Sequence, residues 1–100
     1  MRGRFLFTAF DDRGVAQWRQ LLGGADGLSA LEFEAGTWHT VTALESGSVI
    51  FEVKEGPYVP VPDSDMAGWS PSEGTPDAAR FVKAMRAEAV QLSRESTRLI

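Results

Sequence analysis

The stretch that decides the predicted fold is residues 36–44, with the sequence Gly-Thr-Trp-His-Thr-Val-Thr-Ala-Leu. A glycine turn leads into a run of β-branched and aromatic residues, which is typical of a β-strand. Alternate side chains of a strand point to opposite faces, so His39, Val41 and Ala43 share one face and Trp38 points to the other. The stretch therefore predicts a strand that carries the only histidine of the chain, with Trp38 in the core or at an interface.

Turn signals on both sides of this stretch predict a series of short antiparallel strands. They recur about every 8 to 12 residues, and the runs between them are rich in Phe, Val, Leu and Thr. This spacing favours an antiparallel sandwich or barrel. The predicted strands cover residues 4–10, 15–22, 28–33, 37–44 and 48–55.

The two predicted turns that flank residues 15–22 both contain glycine. The sequence Asp-Asp-Arg-Gly at residues 11–14 is predicted to close a hairpin, with Gly14 supplying the positive φ that such turns need. Asp11 and Asp12 at its tip are interpreted as solvated side chains. The glycine-rich segment 23–27 lacks the spacing and the Lys-Ser/Thr pair of a phosphate loop, so it is interpreted as a turn.

The chain changes character after Gly56-Pro57. Four prolines break up residues 57–74, which predicts an extended loop laid over the sheet and held to it by Trp69. We divide the chain accordingly into a β domain over residues 1–74, which includes a proline-rich loop over 56–74, and a C-terminal helix over 75–97.

The helix is predicted from its start signals and from its apolar periodicity. Thr75 is a suitable N-cap, Pro76 fits the first helical position and Asp77 complements the helix dipole. One apolar stripe repeats at helical spacing, and we expect it to pack on the sheet or on a second subunit. The stripe consists of Phe81, Met85, Ala89 and Leu92.

Composition bounds the classes of function. The chain has 100 residues, of which 43% are apolar and 24% charged, and this predicts one globular domain. It has no cysteine, which excludes disulfides, thiolate metal ligands and a cysteine nucleophile. Residues 1–75 carry 5 basic and 11 acidic side chains, so we expect no nucleic-acid partner. The absence of a long apolar span and of a signal-like start predicts a cytoplasmic protein without a membrane partner.

Two segments together resemble a known family. Residues 49–58, Val-Ile-Phe-Glu-Val-Lys-Glu-Gly-Pro-Tyr, follow the Gly-Thr-Trp-His-Thr-Val of residues 36–41. This combination resembles the small cupin-fold metalloproteins of the WbuC type, which are associated with bacterial O-antigen and polysaccharide gene clusters. The resemblance covers roughly residues 3–75. It implies a mainly β, antiparallel cupin-like jelly-roll or barrel fold, completed here by one C-terminal α-helix.

The resemblance also assigns residues. Gly27, Gly36 and His39 match the second cupin motif, in which the two glycines are structural turn positions and the histidine is a metal ligand. Two positions depart from the motif, with Glu34 in place of proline and Ala43 in place of asparagine. Gly3 is similar to the last glycine of the first cupin motif. The family's His-x-His pair and glutamate would precede that glycine, so we expect a fold truncated at its N-terminus.

A complete cupin site would hold a divalent transition metal such as Mn, Fe, Ni, Cu or Zn on about three imidazoles and one carboxylate. His39 alone cannot supply this set and is interpreted as a residual ligand position, with metal absent or weakly bound. Glu52, Lys54 and Tyr58 are pocket candidates, although Glu52 and Lys54 are equally well interpreted as an exposed pair.

Several interpretations follow from this pattern. We favour a truncated cupin-type domain that binds a small, carbohydrate-like ligand or retains only a vestige of the metal site, and that is not an enzyme as this 100-residue chain. The alternative is a metal-dependent, sugar-processing cupin whose ligands come from another subunit or from an unannotated N-terminal extension. A plain dimeric β module is a third interpretation. Missing leading strands would expose sheet edges, so we predict a homodimer.

Overall fold

The computed structural model describes residues 2–24, 27–52 and 66–98, the last five of these in backbone only. Three antiparallel strands form one sheet in the order β2-β1-β3, and one helix follows them. The elements are β1 (Arg4–Phe10), β2 (Ala16–Gly23), β3 (Trp38–Ala43) and α1 (Pro76–Arg98). The predicted antiparallel sheet and C-terminal helix are therefore present, while the cupin barrel stays a prediction.

The central strand β1 is buried on both of its faces. Its sequence, Arg-Phe-Leu-Phe-Thr-Ala-Phe, is apolar at nearly every position instead of alternating, as a strand covered on both sides requires. Leu6 and Thr8 point towards α1, while Phe5, Phe7 and Ala9 point to the opposite side of the sheet. None of these five residues is more than 8% exposed. Two separate hydrophobic clusters therefore include residues of this strand, one cluster on each face of the sheet.

The helix covers one face of the sheet. Met85 and Ala89 are buried against Leu6 and Leu21. Three half-buried side chains extend this cluster, namely Leu44, Phe81 and Leu92. The predicted apolar stripe is confirmed, and of its two predicted partners it packs on the sheet.

Polar groups at this interface are also satisfied. The hydroxyl of Thr8, which is fully buried, donates to the sulfur of Met85 over 3.6 Å. Thr75 is the predicted N-cap, and its Oγ1 accepts a hydrogen bond from the backbone N–H of Ala78 at 3.2 Å. Outside the apolar stripe, Arg19 of β2 forms an ion pair with Glu88 of the helix.

The β1–β2 hairpin closes through the turn at residues 11–14, as predicted, with Gly14 at φ +87°. Its two aspartates remain accessible to solvent, and they also form hydrogen bonds within the protein. Oδ1 of Asp11 accepts hydrogen bonds from the backbone N–H groups of Arg13 and Val15, each at 2.9 Å. A carboxylate that bonds to nearby backbone in this way forms the turn itself. Asp12 is also engaged, because its side chain accepts from the Trp38 indole at 3.2 Å.

Trp69 attaches the loop that precedes α1 to this hairpin. Its indole N–H donates to the carbonyl of Asp12 at 3.0 Å, and its ring lies 5.1 Å from that of Phe10. The same ring packs directly over Gly14. The predicted role of Trp69 is confirmed for the described part of the loop, which begins at residue 66.

Two predicted strands are corrected by the structure. Residues 28–33 form no strand: only Leu28 makes a bridge, to Leu22 at the end of β2. The apolar residues of this segment cover the sheet, because Leu31 and Phe33 pack onto its face instead of pairing with a strand edge. Over residues 48–52, only Val49 forms a bridge, to Arg2. The remainder of the predicted strand 48–55 lies outside the described residues.

The close contact between Gly14 and Trp69 predicts a graded effect of alanine substitution. A Cβ at Gly14 would lie 2.7 Å from Cδ2 of Trp69, whereas a Cβ at Gly36 would meet nothing within 4 Å. Both glycines have positive φ, so the Gly36→Ala variant reports backbone strain alone. We expect Gly36→Ala to lower the free energy of unfolding by about 1 kcal/mol and Gly14→Ala by about 2 kcal/mol or more, measured by urea denaturation. Equal losses would show that the Trp69 contact contributes nothing.

Candidate functional site

The face of the sheet opposite α1 carries His39 and a group of aromatic side chains, and we call it the His39 face. Its buried part consists of Phe5, Phe7, Ala9 and Leu22, with Leu31 packed against them. Its outer part stays accessible, because Trp18 is 43% exposed and Phe33 and Val41 are each 38% exposed. Large apolar side chains that share one accessible surface indicate a contact site for a ligand or a partner.

The strand register brings the site residues together. Ala9 of β1 lies opposite Trp18 of β2 on one side and His39 of β3 on the other. Since neighbouring strands lie about 4.8 Å apart, Trp18 and His39 are separated by about 10 Å across the sheet. The small Ala9 side chain between them is buried. In the next row, Phe7 lies between Gln20 and Val41.

The His39 ring is held in place by aromatic neighbours. Its centroid lies 4.3 Å from that of Phe33 and 5.8 Å from that of Phe7, to which it is nearly parallel, with an interplanar angle of 20°. Phe7 in turn contacts Trp18 edge to face at 5.4 Å. The four rings therefore form one continuous aromatic cluster, with the imidazole at the β3 side.

A backbone hydrogen bond fixes the tautomer of His39. Nδ1 lies 2.8 Å from the carbonyl oxygen of Thr37. A carbonyl oxygen can only accept, so Nδ1 must carry the proton and donate. In the neutral ring, Nε2 then has a free lone pair. A histidine that donates one ring N–H to a backbone carbonyl and presents the other nitrogen has the arrangement typical of metal ligands.

The turn before β3 positions Thr37 for this contact. The hydroxyl of Thr37 donates to the carbonyl of Glu34 at 2.7 Å, and its backbone N–H donates to the same oxygen at 3.3 Å. Gly36 in the turn has φ +83°, a conformation that favours glycine. Glu34 therefore contributes through its carbonyl and Thr37 through its hydroxyl and its backbone, and this turn sets the orientation of the imidazole.

The other candidate residues do not join His39 in the described part of the chain. Glu52 is exposed. Lys54 and Tyr58 lie outside the described residues. Gly27 lies close to the end of β2, where a Cβ would come within 2.2 Å of the Gly23 carbonyl oxygen. Trp38 points away from His39, as predicted, and is half-buried beside Trp69 at 6.3 Å.

The described residues do not by themselves fit a transition metal. Over residues 2–24, 27–52 and 66–98, no group of three or more His, Asp or Glu side chains lies close enough to share an ion. The ring neighbours of His39 are Phe7 and Phe33, which offer no ligand atoms. A metal on Nε2 would need further donors from outside this set.

Three residues of the aromatic cluster are not among the site residues that the sequence predicts. They are Phe33, Phe7 and Trp18, which lie within the predicted strands 28–33, 4–10 and 15–22. The signal that was available is the alternation within each strand, which groups Phe7 with Ala9 and Trp18 with Gln20. It could not identify the cluster, because the register between β1, β2 and β3 is needed to bring these groups to one face.

A depression lies on the helix side of the sheet, away from the His39 face. It has a volume of about 170 Å³ and is lined by Arg19, Glu88, Gln91 and Leu92. Pockets for drug-sized ligands usually measure about 300–1,000 Å³. This groove is smaller, and the Arg19–Glu88 ion pair lies along it, so the His39 face is the stronger candidate site.

Comparison with known proteins does not assign the chain to a family. No protein-family model matches the chain, and no curated protein or solved structure matches it. Among the residues that the structure describes, no helix is long and apolar enough to cross a bilayer. The resemblance to WbuC-type cupins and the cytoplasmic location stay predictions.

The contact with Thr37 predicts which tautomer of His39 is populated. In the neutral imidazole we expect the proton on Nδ1, because only that form donates to the carbonyl. Two-dimensional ¹H–¹⁵N spectra of the ring nitrogens should show a pyrrole-like Nδ1 and a pyridine-like Nε2. The assignment is direct, since the chain contains one histidine. A dominant proton on Nε2 would contradict this geometry.

Proposed function

We propose that this chain is a non-catalytic binding module, related to the WbuC-type cupins, that takes a small carbohydrate-like ligand on the His39 face. The observation that carries this proposal is the accessible aromatic cluster with the fixed imidazole at its side. The proposal keeps His39 as the vestige of a metal site and gives its free nitrogen a hydrogen-bonding role.

The apolar part of the cluster suits the C–H face of a sugar ring. A pyranose has apolar C–H surfaces above and below the ring and hydroxyls around its edge. Flat aromatic side chains can cover such a surface, and Trp18 and Phe33 are both accessible for this contact. A shallow aromatic surface favours a sugar or a short oligosaccharide over a fully enclosed apolar ligand.

Polar groups beside the cluster can recognise the hydroxyls. Nε2 of His39 can accept a hydrogen bond from a ligand hydroxyl in the tautomer that donates from Nδ1 to the Thr37 carbonyl. Gln20 lies in the neighbouring row, and its amide nitrogen donates to the carbonyl of Leu21 at 3.1 Å. The oxygen of that amide has no partner among the described residues and remains available as an acceptor. A few such polar groups around an apolar surface are typical of small-molecule sites.

The test is a ligand titration with tag-free, ¹⁵N-labelled protein. The probes are a panel of hexoses, aminosugars, deoxysugars and nucleotide sugars. Binding of each probe is followed by the chemical-shift changes of the backbone amide resonances. We expect at least one probe to shift resonances of β1, β2 and β3 that belong to the His39 face. Trp18→Leu keeps an apolar side chain but removes the flat ring, and should weaken that binding at least about tenfold, or about 1.4 kcal/mol.

The matched control is Val90→Ala. Val90 is an exposed apolar residue of α1, on the other side of the molecule from the aromatic cluster, so its truncation should leave the affinity unchanged. If no probe shifts the resonances of the His39 face, or if Trp18→Leu and Val90→Ala bind equally well, the proposed carbohydrate site is wrong.

A second candidate function is that of a metal-dependent, sugar-processing cupin. It is favoured by one observation, the bond between Nδ1 of His39 and the Thr37 carbonyl, which leaves Nε2 in the state that a metal ligand requires. The further ligands would come from another subunit or from an N-terminal extension. Mn, Fe, Ni, Cu and Zn are the candidate ions, since all accept imidazole or carboxylate ligands.

Elemental mass spectrometry of tag-free protein separates the two candidates. After incubation with these ions and gel filtration, the binding-module proposal predicts a metal-to-chain ratio near zero. A ratio near one, or one per dimer, that His39→Ala abolishes would favour the metalloprotein instead. The control is Glu73→Ala, because Glu73 is an exposed carboxylate in the loop before α1 and belongs to no candidate site. Loss of metal in both variants would point to adventitious binding.

A further inference from the structure

The outer edge of β3 presents a regular row of backbone groups. The backbone N–H of Leu44 donates to the carbonyl of Arg4 at 2.9 Å, which fixes the phase of the β1–β3 ladder. Because hydrogen-bonded pairs alternate along an antiparallel ladder, Thr42, Thr40 and Trp38 also bond to β1. The N–H and C=O groups of the residues between them therefore point away from the sheet. These residues are His39, Val41 and Ala43.

This edge is unprotected in the described part of the chain. Among residues 2–24, 27–52 and 66–98, its outward N–H groups have no partner, and only the Ala43 carbonyl is approached, by Nε of Arg86 at 3.4 Å. Natural sheets block such edges with charged residues, prolines or bulges. β3 has the sequence Trp-His-Thr-Val-Thr-Ala, with no charged residue and no proline, and its pairing with β1 has no register shift.

We infer that β3 is a dimer interface, at which it pairs antiparallel with β3 of a second copy of this chain, Val41 opposite Val41 about a two-fold axis. Each outward residue then exchanges both of its backbone hydrogen bonds, Val41 with Val41 and His39 with Ala43 of the partner subunit. The two sheets join into one continuous sheet. Both His39 faces lie on the same side of it, and both helices lie on the other.

The side chains fit this register. On the helix side, Thr40 faces Thr42 of the partner subunit, a cross-strand combination that hydrogen-bonds well. On the His39 face, the imidazole stands opposite the small Ala43 side chain and the two Val41 side chains meet at the axis. No charges meet, so the sequence of β3 is complementary to itself and favours a second copy over an unrelated peptide.

Neighbouring registers are worse because they use residues outside the strand. A shift in one direction brings in Thr37, whose N–H already donates to the Glu34 carbonyl. A shift in the other direction brings in Glu45, a charged residue beyond the end of β3. Pairing centred on Val41 uses the three outward residues of β3, and the Ala43 carbonyl, which accepts from Nε of Arg86 at 3.4 Å, has a second lone pair for the partner subunit.

The first test uses cysteine cross-linking, for which the chain is suited because it has no cysteine of its own. In a hydrogen-bonded pair the two Cα atoms lie about 5.5 Å apart, which is within the range of a disulfide. We expect Val41→Cys to form a covalent dimer under mild oxidation. Val15→Cys, at an exposed position beside the hairpin turn, should stay monomeric on denaturing gels.

The second test measures mass by light scattering at tens of micromolar, without any glycan. The unaltered chain should be a dimer, Val41→Lys a monomer because two charges meet at the axis, and Val15→Lys a dimer. Circular dichroism verifies that each variant is folded. A monomeric unaltered chain would overturn the inference, as would a dimer in which Val41→Cys fails to cross-link. Since no sugar is involved, this result is independent of the carbohydrate proposal.

Discussion

The structure depends on the burial of β1 from both sides. A strand of which both faces must be covered needs a neighbour on each edge and a layer on each face. β2 and β3 pair with its two edges. The helix α1 covers one face, and the segment with Leu31 and Phe33 covers part of the other. The dominant free-energy gain is the removal of apolar surface from water, at about 25 cal/mol per Å². Every other feature is arranged around this strand.

The two layers differ in completeness, and this difference creates the candidate site. On the helix side, a long amphipathic helix covers the sheet, and the Thr8 hydroxyl finds a partner in Met85. On the other side, a short irregular segment covers only part of the sheet, so Trp18 and Val41 remain accessible beside His39. The open side therefore carries both the aromatic cluster and His39, the single histidine of the chain.

Two kinds of chemistry are proposed for His39, and its surroundings bear on both. Its fixed tautomer suits both a metal ion and a ligand hydroxyl, since both use the lone pair on Nε2. A metal ion needs additional donors close by, and the described neighbours are phenylalanine rings. A sugar needs an apolar surface with a few polar groups, which these rings, His39 and Gln20 provide. This contrast is the reason for proposing a small organic ligand at this face.

The sequence by itself determined the local structure, because its signals act over a few residues. It predicted β1, β2, β3, the helix with its Thr75 cap and the turn at Gly14. Tertiary structure decided what depends on contacts between distant residues. The local pattern could not show that residues 28–33 cover a sheet face. An apolar run has the same sequence signature whether it pairs with the edge of a strand or packs onto the face of a sheet. Nor could the local pattern show that Ala9 lies between Trp18 and His39, because strand register follows from the packing of the whole sheet.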